Sequence, residues 1–214
     1  MITSSNNAKV KQVVQWQTKA KERRKDHVFL AEGVRMCEEA PVKSVREVYL
    51  TEELEQKLRR NAQNGDTAFW DKLQQTGYET VSPEVFAKMA DTQTAYGILI
   101  VLEQPSYDQQ QLLEQPEPLF LVLENLQDPG NLGTMVRTGE GAGITGVIMN
   151  QQTVDIFNPK TIRATMGSIF RVPFVYVPEL SPVLTQMHEK GIHTYAAHLK
   201  GQKYYDSFSF REPT

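Results

Sequence analysis

Four short apolar segments recur along the second half of the chain, and they constrain the fold more than any other feature. They are LFLVL from residue 119, ITGVIM from 144, VPFVYV from 172 and IHTYAA from 192. Each is separated from the next by a stretch long enough to hold a helix. Strands that are apolar throughout and alternate with helices are typical of a parallel sheet covered by helices. The second half is therefore predicted to form an α/β domain built on such a sheet.

The first half also mixes helices and strands. Val10, Val13, Val14 and Trp16 recur at roughly helical spacing, and the segments HVFLA, VREVYL and YGILIVL are predicted strands. Ser82 stands before a proline and a glutamate, which predicts a helix start, because serine caps free amides and proline suits the first helical position. We expect a second, smaller α/β domain here.

A polar segment, EQPSYDQQQLLEQPEP, separates the two halves. It holds three prolines and five glutamines and little apolar content, which predicts an extended linker rather than a part of either core. The predicted organisation is an N-terminal domain over residues 1–102, a linker over 103–118 and a second domain over 119–214.

The net charge of −3 conceals a basic N-terminal arm. The first 26 residues hold seven basic and two acidic side chains, a net charge of +5, so the remainder carries −8. Such an arm can neutralise the phosphates of a nucleic acid, with Arg23, Arg24 and Lys25 as the candidate contacts. A solvated helix face is the alternative that charge alone leaves open.

Several function classes are disfavoured by composition. Cys37 is the only cysteine and the four histidines lack metal-binding spacing, so no metal site is expected. No apolar run approaches the roughly 18 residues that cross a bilayer, and the N-terminus lacks the apolar region of a secretion signal. A cytoplasmic protein with no membrane partner is the expectation.

A glycine-rich segment, ENLQDPGNLGTMVRTGEGAG, follows the first apolar run of the second half. The turn residues from Asp128 to Asn131 predict a sharp bend into a helix, at the position where an open α/β sheet presents a ligand site. Gly133 would let a backbone or a ligand approach closely. Arg137 would lie within the first two helical turns and could reach the same ligand, or could instead pair with a surface carboxylate such as Glu140.

The glycines that follow match the spacing of a dinucleotide-binding motif but not its structural context. Gly141, Gly143 and Gly146 fit G-x-G-x-x-G, but they come after a predicted helix and before a strand, which is the reverse of the required order. A turn at the end of a helix is the better interpretation. A nucleotide-dependent oxidoreductase is therefore disfavoured.

A second segment, DIFNPKTIRATMGSIFRVPF, also pairs a turn with a helix. Asn158 and Pro159 predict the turn, and Lys160 and Arg163 come early in the helix that follows. Basic residues at a helix N-terminus oppose the helix dipole, so their placement is more easily understood if an anion docks there. Two exposed surface residues without a ligand are the alternative.

These segments resemble the motifs of a known family. DPGNLGTMVRTGEGAG resembles the first motif of the SpoU/TrmH-type RNA ribose 2′-O-methyltransferases, and NPKTIRATMGSIFRVPF resembles the second, in the right order and separation. FLAEGVRMCEEA and TQTAYGILIVLE resemble landmarks of the RNA-binding domain that precedes them. The resemblance covers nearly the whole chain.

The resemblance implies a fold and an activity. The expected fold is an α/β RNA-binding domain followed by a parallel-sheet methyltransferase domain that the family normally ties in a trefoil knot. The expected reaction transfers a methyl group from S-adenosylmethionine to a ribose 2′-hydroxyl of structured RNA, ribosomal or transfer RNA, with the full-length enzyme a homodimer. Asn131 and Arg137 match its catalytic positions, while Lys160 and Arg163 are expected to contact RNA.

The family's third motif has no counterpart, so the expected methyltransferase domain is incomplete. AAHLKGQKYYDSFSF resembles the segment just before that motif, and Ala197, His198 and Leu199 match positions where cofactor contacts begin. We therefore expect weak or absent activity from residues 1–214 alone. A non-catalytic protein that binds structured RNA is the alternative.

Overall fold

A computed structural model describes residues 1–92 and 96–214, which form seven strands in two sheets, with helices on their faces. The strands are β1 Val28–Glu32, β2 Val45–Thr51, β3 Glu79–Val81, β4 Ile98–Glu103, β5 Phe120–Leu123, β6 Gly146–Asn150 and β7 Phe174–Val177. The α-helices are α1 Ala8–Thr18, α2 Ala20–Asp26, α3 Val34–Glu39, α4 Glu52–Gln63, α5 Ala68–Thr76, α6 Pro83–Met89, α7 Gln109–Leu113, α8 Pro129–Ala142, α9 Pro159–Thr165 and α10 Leu180–Glu189.

The first sheet has the strand order β1-β4-β2-β3. β4 is antiparallel to both of its neighbours, whereas β2 and β3 are parallel. The three strands predicted in this half are confirmed as β1, β2 and β4. The landmark TQTAYGILIVLE includes residues 93–95, which lie outside the described residues.

The second sheet is parallel throughout, as predicted, with the order β5-β6-β7. The prediction that IHTYAA is a further strand is wrong. Ile192 alone of this segment is buried, and the His193 N–H donates to the Pro213 carbonyl at 2.8 Å. Thr214, and not this segment, bonds to the start of β5: its carbonyl accepts from the Phe120 N–H at 2.7 Å. Strands are stabilised by packing of their side chains against neighbours on the sheet, and in this segment only one side chain is buried, so a strand is not stabilised.

Three helices begin where the sequence predicts. Ser82, Asp128 and Asn158 each precede a proline, and each side chain accepts a hydrogen bond from a backbone N–H of the first turn. These side chains satisfy amides that the helix cannot pair by itself, and proline removes one more such donor. Gly143 ends α8 in the left-handed conformation with φ +76°, which confirms a helix end and not a nucleotide loop.

The segment predicted as an extended linker is partly helical. α7 lies within it, and Leu112 and Leu113 are buried against Ile148, Val175 and their neighbours on the outer face of the second sheet. Leu112 and Leu113 are the one pair of adjacent aliphatic residues in that glutamine-rich segment, so the polar composition does not reveal their burial. The connection therefore contributes to the second core.

One hydrophobic cluster joins the two sheets. It contains Phe29 and Leu102 from the first sheet together with Leu132, Val147 and Ile162 from the second half of the chain. A second cluster lies on the opposite face of the first sheet, under α1 and α6. In residues 1–92 and 96–214, no helix is both long enough and apolar enough to span a membrane.

Candidate active site and RNA-binding surface

A polar network centred on the buried side chains of Asn150 and Thr153 holds together the loops that follow β5 and β6. The Asn125 N–H donates to Asn150 Oδ1 at 2.9 Å, and Asn150 Nδ2 donates back to Asn125 Oδ1 at 2.8 Å. Thr153 Oγ1 donates to the same Asn150 oxygen at 2.8 Å. Since buried polar groups are costly unless paired, the network fixes both loops at the carboxyl edge of the parallel sheet. This is the edge where ligands bind in open α/β sheets.

The loop after β5 leads into α8 through Asp128. Its carboxylate accepts from the Asn131 N–H at 2.7 Å, and the Lys160 ammonium lies 3.6 Å away at the start of α9. The hydrogen bond from the Asn131 amide, with the charge of Lys160, holds the pKa of Asp128 below its usual range. The N-termini of α8 and α9 therefore lie side by side.

Gly133 brings the two helices into close contact. A Cβ on this residue would lie 2.5 Å from the Cβ of Ala164 and 2.6 Å from the carbonyl oxygen of Thr161. Of the two roles that the sequence left open for Gly133, the structure therefore supports the close approach of a backbone. The position of α8 is set directly by α9.

Asn131 and Arg137 both lie on the exposed side of α8. Within the described part of the chain, no hydrogen bond or salt bridge engages the Arg137 guanidinium. Pairing with Glu140, the alternative interpretation, is wrong, because that carboxylate accepts from Ser168 at 2.5 Å and from Arg171. Arg137 follows Asn131 by six positions, which corresponds to about 9 Å along the helix axis, a distance that a nucleotide can bridge.

The prediction that Arg23 contacts RNA is contradicted by its burial. Its side chain is 3% exposed and donates to the Trp16 carbonyl at 2.7 Å and to the Asp155 carboxylate at 2.7 Å. A guanidinium enclosed in this way cannot reach a phosphate. Charge along the sequence marks the arm as basic but does not reveal which of its side chains points inward.

The remaining RNA candidates lie at or near the surface. Arg24 and Lys25 are exposed on α2, and Lys160 is exposed on α9. Arg163 is partly exposed and forms a salt bridge with Asp91, so its charge is already compensated.

The positions that match cofactor contacts do not enclose a ligand. Ala197, His198 and Leu199 are exposed, in a segment without regular secondary structure, and Leu199 touches no neighbouring surface. An adenosine needs an enclosed, largely apolar site with a few directed polar groups. In this conformation, the three residues do not fit that requirement.

Other residues of the site were not predicted from sequence. Asn125, Asn150, Thr153 and Asp155 position the loops around α8 and α9, but their partners are distant in the chain. One local signal existed, since Asn150 and Asp155 both follow the apolar run ITGVIM at the carboxyl end of a strand. In the residues that the structure describes, no group of three or more His, Cys, Asp or Glu side chains could hold a metal ion.

Comparison with known proteins supports a specific class for this arrangement. Residues 118–214 match the SpoU rRNA Methylase family, and residues 7–99 match the MRM3-like substrate binding domain. The chain is 32% identical over 202 residues to the 23S rRNA (guanosine(2553)-2′-O)-methyltransferase RlmP of Bacillus subtilis, covering 93% of this chain and 73% of the relative. It is 37% identical over 110 residues to human mitochondrial rRNA methyltransferase 3, covering 49% of this chain and 26% of that protein.

Solved structures agree with this class. An rRNA methyltransferase from Sinorhizobium meliloti superposes with a TM-score of 0.78 at 25% identity, covering 97% of this chain and 76% of that one. An RNA 2′-O ribose methyltransferase gives the same TM-score at 24% identity, covering 99% of this chain and 78% of that one, and supports the fold. The fold is therefore that of an RNA methyltransferase. The chain belongs to the SpoU/TrmH-type family of RNA ribose 2′-O-methyltransferases.

Proposed function

We propose that the protein transfers a methyl group from S-adenosylmethionine to a ribose 2′-hydroxyl of ribosomal RNA. The observation that carries this proposal is the exposed, uncompensated Arg137 on α8, the helix that starts at the carboxyl edge of the parallel sheet and also carries Asn131. Ribosomal RNA is favoured over transfer RNA because the relatives from Bacillus subtilis and human are named as rRNA methyltransferases. A structure neighbour from Sinorhizobium meliloti is described as AdoMet bound.

The protein's own residues bind and orient the nucleotide. S-adenosylmethionine, when bound, supplies an electrophilic methyl group. Arg137 holds the nucleotide and stabilises the negative charge that develops on the 2′-oxygen, because a fixed cation at that point favours the transition state. Asn131 positions the ribose or the Arg137 guanidinium.

The proton of the 2′-hydroxyl needs an acceptor other than Arg137. A guanidinium stays protonated in proteins, so it cannot take up a further proton. A phosphate oxygen of the substrate or a water molecule is the acceptor in this scheme. Arg137 then acts through its charge and its hydrogen bonds.

RNA is held mainly outside the catalytic helix. Residues 1–102 form the RNA-binding unit, residues 103–118 connect it, and residues 119–214 belong to the methyltransferase unit. Arg24 and Lys25 on α2, with Lys160 on α9, contribute phosphate contacts, while Arg163 contributes one only if RNA displaces Asp91. The enzyme works in the cytoplasm as a homodimer in this proposal.

A second candidate is a protein that binds structured RNA without catalysis. The observation that favours it is the exposure of Ala197, His198 and Leu199, which leaves the expected cofactor contacts unassembled. Such a protein would keep the RNA surface and lack affinity for the cofactor. The two candidates therefore differ in ligand binding as well as in activity.

A thermal-shift panel with S-adenosylmethionine, NAD and ATP, followed by transfer of a labelled methyl group to rRNA, tests the proposal. A ligand at a hundred times its Kd stabilises a protein by about 2.7 kcal/mol, which is readily measured. We expect stabilisation by S-adenosylmethionine alone and label in the rRNA. Binding of rRNA without cofactor binding or transfer would support the second candidate and refute the first.

A further inference from the structure

Three ion pairs join the RNA-binding unit to the chain around α9. Arg23 on α2 pairs with Asp155 just before α9, and Asp91 pairs with Arg163 within it. Glu39 on α3 pairs with Arg171 beyond its end, at 2.8 Å. The second-motif segment is therefore held at its beginning, middle and end by side chains of the first half.

The pair between Arg23 and Asp155 is the most buried of the three, with side chains that are 3% and 22% exposed. Arg23 Nη2 lies 2.7 Å from Asp155 Oδ2, and Arg23 Nη1 donates to the carbonyls of Trp16 and Gln17, at 2.7 and 3.3 Å, near the C-terminus of α1. Asp155 Oδ1 accepts from the Phe157 N–H at 3.0 Å. One guanidinium thus connects α1, α2 and the loop that sets the start of α9.

Attraction between the two units does not depend on this pair. The ring of Phe29 on β1 lies 5.0 Å from that of Phe157 and 6.3 Å from that of Phe170, within a continuous apolar cluster. The desolvation of two charges costs about as much free energy as their attraction returns. Apolar residues at these positions would therefore stabilise the contact between the two halves equally well. A directed ion pair adds a defined register, which here means a fixed relative position of the first half of the chain and α9.

That register extends to the catalytic helix. α9 contacts α8 at Gly133, where there is no space for even one added carbon, so a displacement of α9 displaces α8. α8 carries Asn131 and Arg137. A contact path therefore leads from Arg23 through Asp155 and α9 to the residues that face the reacting ribose.

We propose that Arg23 and Asp155 are positioning residues that set the distance between RNA held on the first half of the chain and Arg137. This inference rests on the proposed function. A displacement of about 1 Å at a reacting centre can cost on the order of a hundredfold in rate, although neither residue touches the substrate. The pair acts on the turnover rate and leaves RNA affinity to the exposed basic residues.

The test compares Asp155→Asn with Glu103→Gln in the full chain. Both changes replace a carboxylate by its amide, but Glu103 pairs with Arg46 inside the first sheet and away from α9. The readouts are kcat and KM for methyl transfer to rRNA, measured well below the Tm, and amide hydrogen exchange over residues 159–165. A loss of global stability alone would leave kcat per folded molecule unchanged.

For Asp155→Asn, we expect kcat to fall by about tenfold or more, KM for rRNA to stay within about twofold, and exchange to accelerate in α9. Glu103→Gln should match the wild type in all three. A wild-type kcat with wild-type exchange in Asp155→Asn would overturn the inference. A rise in KM alone would also overturn it, because the pair would then serve RNA affinity.

Two further outcomes stay informative. If Asp155→Asn does not fold, Asp155→Glu keeps the charge opposite Arg23 but moves the carboxylate by one carbon, and a wild-type kcat with wild-type α9 exchange there would overturn the inference. If the wild type neither binds S-adenosylmethionine nor transfers a methyl group, the proposed function fails. Hydrogen exchange then tests the register by itself, since equal α9 exchange in wild type and Asp155→Asn would show that the pair does not hold that helix.

Discussion

Replacing Gly133 by alanine tests whether α8 and α9 are as closely packed as the structure shows. The added Cβ would lie 2.5 Å from the Ala164 Cβ and 2.6 Å from the Thr161 carbonyl oxygen, so the helices must separate. Overpacking of this kind costs about 1–3 kcal/mol, whereas alanine in a helix gains about 1 kcal/mol over glycine. Since one of the two obstructing atoms belongs to the backbone, we expect a net loss of about 1–2 kcal/mol.

The matched control for this change is Gly141→Ala in the same helix. A Cβ at Gly141 has no heavy atom within 4 Å, so only the helix propensity gain remains, up to about 1 kcal/mol. Urea denaturation followed by circular dichroism should show a lower midpoint for Gly133→Ala and an equal or higher one for Gly141→Ala. Equal midpoints for the two variants would refute the packing argument.

The other predictions concern charge. Arg137→Ala should abolish methyl transfer and preserve cofactor affinity; loss of cofactor affinity in calorimetry would mean that its role is misassigned. Changing Arg24 and Lys25 to glutamine should weaken rRNA binding and lower the slope of log K against log salt by about 1 per residue. An unchanged slope would show that these residues are solvated and do not contact RNA. Hydrogen bonds from Arg171 and then Ser168 lower the pKa of Glu140, so this carboxylate stabilises the fold above its ordinary pKa near 4.5 and loses that contribution as pH falls through the lowered value. The advantage of wild type over Arg171→Gln in the free energy of unfolding should therefore shrink in acid, and an advantage that stays constant until the protein unfolds in acid would contradict this.

The sequence predicts the local features of this fold well. Ser82, Asp128 and Asn158 mark helix starts because a cap and a proline act within a few residues of each other. The apolar runs that form β5, β6 and β7 are also a local signal, since a strand that is covered on both faces of the sheet needs apolar side chains on both.

Features that depend on distant partners were not predictable. In the sequence, Arg23 cannot be distinguished from the other basic residues of the arm, because its partner Asp155 comes close only in the folded chain. Leu112 and Leu113 are concealed in a polar segment, and their burial depends on strands that come later in the chain. IHTYAA resembles the other strand segments in composition, but only Ile192 finds a buried position. Composition cannot distinguish these cases, because each depends on what the rest of the chain places opposite.

The central claim is that this protein methylates ribose in ribosomal RNA, and mapping of 2′-O-methyl groups tests it most directly. A 2′-O-methyl group blocks alkaline cleavage of the adjacent phosphodiester, so rRNA from a strain that lacks the gene can be compared with wild-type rRNA position by position. We predict that protection disappears at a ribose in the deletion strain and returns with the wild-type gene but not with Arg137→Ala. Identical protection at every rRNA position in both strains would contradict the account.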